Sequence, residues 1–93
     1  MNTFAFLKSP DELNRDIAKR MQARRKEKKI SQVKLSEYSD VSLGSIKRFE
    51  RTGDISLSSL VKIAYALGYE DDFESLFSKK GYSSIQEVID ERE

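Results

Sequence analysis

The residues with the most chemistry to offer stand close together. Ser42, Leu43, Gly44, Ser45, Lys47 and Arg48 fall within two helical turns. The hydroxyls donate and accept hydrogen bonds, and the two cations donate only, the Arg through a planar fork. Gly44 lowers helix propensity by roughly 1 kcal/mol against Ala, and close approach of another molecule is a physical reason to keep it. Such groups hold and read an electronegative surface. Turnover asks for others. His and Cys are both absent, which removes the commonest general base near neutral pH, the thiol nucleophile, zinc fingers and disulfides. The sixteen Asp and Glu form no pair in a recognisable acid–base setting, and no Gly-rich phosphate loop occurs. The expectation is a binding protein with no catalytic residue, metal or cofactor.

Charge sharpens the picture. The 93 residues are 38% hydrophobic and 35% charged, with a net charge of only +1. Residues 15–51, however, hold twelve Lys/Arg against five Asp/Glu, an excess of +7. Residues 70–93 hold three against eight, an excess of −5. Two surfaces for two kinds of partner follow from that split. No apolar run reaches 18 residues and no export signal opens the chain, so the expected location is the cytoplasm, away from membranes.

Helices must position these groups, and their ends are legible. Ser9-Pro10-Asp11-Glu12 is a capping box with Pro at the first helical position. Leu13, Ile17 and Met21 then form one stripe, and Arg15, Lys19, Arg20, Arg24, Lys26, Lys28 and Lys29 lie off it, which predicts a first helix from about Pro10 to about Lys28. Ser31 caps a second helix that stops near Asp40, and Ser42 caps a third that ends at Thr52-Gly53. Ser56 caps a fourth, with Leu57, Leu60, Val61, Ala64 and Leu67 expected inside and Gly68 as its stop. Asp71, Asp72 and Glu74 open a short fifth helix with Phe73, Leu76 and Phe77 as its apolar side. Ser84 and Glu87 suggest a last short helix carrying Ile85, Val88 and Ile89.

Ser31 to Gly53 is then two short helices joined by a tight turn. This is the helix-turn-helix arrangement, which presents its second helix to the major groove of DNA. Leu35, Val41, Ile46 and Phe49 must face inward to fix the crossing, with Ser36 small at the contact. Ile30-Ser31-Gln32, Leu35-Ser36-Glu37, Val41-Ser42, Ser45-Ile46-Lys47-Arg48-Phe49-Glu50, Gly53 and Ala64-Tyr65-Ala66-Leu67-Gly68 together resemble the Cro/lambda-repressor-like (XRE) family. The words FAFLKSP, SLGSIKRFERTGDISLSSL and DDF…LF…YSSIQEV are similar to HipB-like antitoxin regulators.

The resemblance implies an all-α fold: a compact five-helix lambda-repressor-like domain over residues 9–78, an arm at 1–8 and a helical extension at 79–93. It implies that Gln32 supports the recognition helix at the DNA backbone. Ser42, Leu43, Gly44, Ser45, Lys47 and Arg48 take the recognition positions, and Arg51 and Thr52 take phosphate. It also implies an ion pair of Arg25 with Glu50. The implied function is a DNA-binding repressor acting as a homodimer on double-stranded DNA, in the HipB-like case an antitoxin and autorepressor partnered by a HipA-type kinase toxin. The alternatives are a protein-interaction module, whose working surfaces would be Phe4, Phe6, Leu7 and the acidic C-terminal part, and a phage-type or restriction-modification control regulator without a toxin.

Overall fold

The computed structural model describes residues 7–81. Five helices follow in order: α1 (Pro10–Glu27), α2 (Gln32–Ser39), α3 (Leu43–Thr52), α4 (Leu57–Leu67) and α5 (Glu70–Glu74). The described residues contain no strand. The arm residues 1–6 and the segment 82–93, including Ile85, Val88 and Ile89, lie outside the described residues.

Serine starts each of the first four helices. The hydroxyls of Ser9, Ser31, Ser42 and Ser56 accept the backbone N–H groups of Glu12, Lys34, Ser45 and Ser59. Each satisfies a donor that the first helical turn cannot, worth about 0.5–2 kcal/mol. Stops are equally local. Asp40, Gly53 and Gly68 all take the left-handed conformation that ends a helix.

The core is built from Ala18 and Met21 of α1, Leu35 of α2, Val41 of the turn, Ile46 and Phe49 of α3, and Ile63 and Leu67 of α4. Phe49, Leu35, Ile46 and Ile63 are almost fully excluded from water, each contributing roughly 1.5–3 kcal/mol of apolar transfer. α1 packs on α3, α2 packs on both α3 and α4, and α5 packs on α4.

Several expected core positions differ. Leu13 is 48% exposed because it precedes the point where α1 meets α3. Leu57 is 64% exposed at the first turn of α4. The buried face of that helix runs instead through Ile63, Ala64 and Leu67, with Leu60 packed beside it. Leu76 is exposed, and Phe77 lies in the left-handed region at φ 60° with its ring 96% exposed, so neither adds to the core.

The turn between α2 and α3 is closed by two serines. Ser36 Oγ donates to the Val41 carbonyl at 2.6 Å, and Ser39 Oγ donates to the Leu35 carbonyl while accepting the Val41 N–H at 3.3 Å. At the far end of α3, Gly53 sits at φ 81° directly against α1: an added Cβ would meet the Arg15 nitrogen and the Asn14 carbonyl carbon at 2.8 Å. Gly68 has the same φ of 81° with open space around it. Gly68→Ala is expected to cost only the left-handed strain of about 1–2 kcal/mol. Gly53→Ala carries that strain and also forces α1 from α3, so it should cost clearly more. Paired urea melts check this, with Gly53→Ala showing the lower midpoint.

Candidate nucleic-acid interface

α3 has two unlike sides. Ile46 and Phe49 are buried. Gly44, Lys47, Arg48 and Arg51 are exposed, while Leu43 and Ser45 are partly covered. Ser42, the cap, accepts the Ser45 N–H at 3.1 Å and donates to Ser45 Oγ at 2.8 Å, so both hydroxyls stand together at the start of the helix. Nothing lies within 4 Å of the place where a Gly44 Cβ would be. Among the described residues no contact therefore accounts for a glycine there. Among the described residues, Lys47 and Arg51 form no ion pair and stand free in solvent.

Thr52, Gln32 and Arg48, by contrast, are engaged within the fold. Thr52 Oγ1 donates to the Arg48 carbonyl at 2.8 Å and accepts the Asp54 N–H at 3.1 Å. Gln32, the first residue of α2, donates its amide to Glu50 Oε1 at 3.1 Å. The Arg48 guanidinium meets Asp54 Oδ2 at 2.8 Å.

Beneath this surface lies a polar cluster. Arg25 Nε donates to Glu50 Oε2 at 2.8 Å and Nη2 donates to Oε1 at 2.9 Å, a two-point clasp between α1 and α3. The third edge of the guanidinium, Nη1, donates to the Ile30 carbonyl at 2.7 Å and ties down the loop into α2. Gln22 adds a fourth bond to Glu50, at 2.8 Å to Oε1. Both charged side chains are nearly inaccessible to solvent. Burial by itself raises the Glu50 carboxyl, but the hydrogen bonds from Arg25, Gln32 and Gln22 and the charge of Arg25 outweigh it and hold the group below its usual range. The acid is thereby kept ionised yet fully partnered, close under a basic surface.

Two participants escape a reading of the sequence. Gln22 is one of many polar residues on α1, and nothing in its spacing sets it apart. Asp54 follows the helix stop at Gly53, so no helical period links it to Arg48.

The cluster has measurable consequences. Glu50→Ala strands a buried guanidinium and is expected to cost roughly 3–5 kcal/mol. A double-mutant cycle with Arg25→Ala should give a coupling above about 0.5 kcal/mol. Because the folded-state carboxyl is held low, its contribution is complete above the unfolded pKa and is lost as pH falls through the folded one. Glu50→Gln should therefore lose more stability at neutral pH than in acid, converging on the wild type as pH drops; parallel denaturant melts across the acid range check it.

No helix among the described residues is long and apolar enough to cross a membrane. Two short helices joined by a tight turn are the arrangement of a helix-turn-helix. Comparison with known proteins agrees on its class. Residues 21–73, more than half of the chain, match the family model described as Helix-turn-helix, HTH_3. No curated protein and no solved structure matches. From the serine-capped helix pair and this match, the chain belongs to the Cro/C1-type helix-turn-helix (XRE) family of DNA-binding transcription regulators.

Proposed function

We propose that this protein is a repressor that reads a specific DNA sequence with α3, acting as a homodimer on two-fold-related half-sites in the cytoplasm. The observation that carries the reading is the outward face of α3: Lys47 and Arg51 free in solvent, Arg48 beside them, and Gly44 open to close approach. In this reading Arg48, Lys47 and Ser45 read base edges, and Leu43 packs on a thymine methyl. Ser42 and Gly44 stand among the recognition positions, Arg51 holds phosphate with Thr52 beside it, and Gln32 braces the helix at the backbone. Residues 9–78 form the DNA-binding domain, with 1–8 as an arm and 79–93 as an extension available to partners. Two-fold symmetry follows from size, since one short helix reads few base pairs and specificity grows when two are coupled. The antitoxin role and the HipA-type toxin partner rest on the resemblance of the flanking words alone.

Footprinting on the DNA next to its own coding region should show two protected half-sites about one helical turn, roughly 34 Å, apart. Arg48→Ala should cost about 1–3 kcal/mol of operator affinity and relax base preference. Arg51→Ala should weaken all sequences alike and reduce the salt slope by about one. Uniform cleavage at protein concentrations below those of non-specific binding would contradict the reading.

Gly44 offers a test in which stability and binding move in opposite directions. Gly44→Ala gains helix propensity, up to about 1 kcal/mol, and meets nothing in the protein. It should raise the melting temperature while lowering DNA affinity, as measured by thermal unfolding and by titration with an operator duplex.

A further inference from the structure

We propose that Asp54 is a positioning residue for Arg48 that sets how sharply the protein discriminates the base read by that side chain. The proposal rests on the reading of α3 as the DNA-reading helix. An acid beside such a surface repels phosphate, so its presence asks for a reason. Arg48 and Asp54 are each 65% exposed in their side chains, yet they meet at 2.8 Å through Arg48 Nη2 and Asp54 Oδ2. Among the described residues the guanidinium has no other side-chain partner. The carboxylate thus engages one nitrogen of the fork and leaves the other donors available.

The acid is not loosely placed. Gly53 donates its N–H to the Phe49 carbonyl at 2.7 Å, and Asp54 donates its own N–H to Thr52 Oγ1 at 3.1 Å. Thr52 Oγ1 in turn donates to the carbonyl of Arg48 itself. The backbone of the reader and the backbone of the acid are therefore bridged by one hydroxyl. Their side chains close the same ring from outside. Ser45, one turn before Arg48, lines the same shallow groove as the pair, so the guanidinium is held next to a second hydrogen-bonding group.

A free Arg samples many rotamers and reaches both phosphate and several base edges. An Arg held at one nitrogen samples fewer rotamers before it meets a guanine O6/N7 pair, and the energy lost in ordering it is smaller. The same carboxylate penalises the competing contacts: an arginine swung to a phosphate leaves Asp54 unpaired and near like charge. Asp54 therefore lowers binding to arbitrary DNA while protecting binding to the correct base. The effect is bounded by what an exposed ion pair can supply, about two- to five-fold in discrimination at a single base step.

The experiment selects bound duplexes from a randomised double-stranded DNA pool, using the full chain as wild type, Arg48→Ala, Asp54→Asn and the double variant. The wild type should enrich a motif, and Arg48→Ala should lose preference at one step of it. Asp54→Asn is expected to lose about two- to five-fold at that same step and no other, with tighter binding to a scrambled duplex and an unchanged thermal melt. The double variant should be no broader than Arg48→Ala. An Asp54→Asn motif identical to the wild-type motif overturns the proposal, as does a loss spread evenly over all steps. Failure of the wild type to enrich any motif overturns the DNA reading itself and the proposal with it.

Discussion

The fold depends most on one buried acid. Glu50 sits on the second helix of the helix-turn-helix, nearly inaccessible to solvent, and it is tolerated there because Arg25, Gln22 and Gln32 occupy its oxygens. Those donors come from α1 and from the start of α2. The Arg25 guanidinium also holds the Ile30 carbonyl in the loop between them. A single carboxylate thus locks three helices into one angle. Apolar contacts alone would permit small slips between helices of eight and ten residues, since hydrophobic attraction has no direction. Hydrogen bonds at a buried ion pair do have direction, and breaking any of them leaves an uncompensated group.

That rigidity explains how so short a helix can be held in place. Isolated helices of this length are marginal in water. α3 is stable because one side is locked by Ile46 and Phe49 in the core, its start by Ser42, and its end by Gly53 pressed against α1. Its other side has none of these duties. Lys47 and Arg51 are exposed, and no described residue lies within 4 Å of where a Gly44 Cβ would be. Buried and exposed positions are separated by the helical period itself: residues three or four apart share a face, and neighbours do not.

Electrostatics follow the same division. Acids that belong to the architecture are neutralised within it, as Glu50 is by Arg25 and Asp16 is by Lys8. The basic excess of residues 15–51 then remains largely on the surface, where it raises affinity for a polyanion of any sequence. Asp54, like Glu27 and Glu37, is an exposed acid that engages a cation, and its partner Arg48 stands on the outward side of α3.

Much of this was legible in the linear chain because it is governed by local rules. Serine caps, the left-handed stops at Asp40, Gly53 and Gly68, and the inward positions Leu35, Val41, Ile46 and Phe49 each depend on residues within a turn or two. The Arg25–Glu50 pairing was suggested by family pattern and not by spacing, since 25 positions separate the two. Tertiary structure alone decided the rest. Only Ser58, Ser59 and Lys62 break the apolar surface of α4, so periodicity alone could not choose between Leu57 and Ile63; in the fold Ile63 is buried and Leu57 exposed. Phe77 looked like core until the chain turned left-handed and sent the ring outward. Gln22 and Asp54 acquired their roles only when folding brought them to Glu50 and Arg48. Local sequence determines where helices begin and end because those energies are settled within a few residues. Which polar groups meet is settled by geometry between helices, where no local rule reaches.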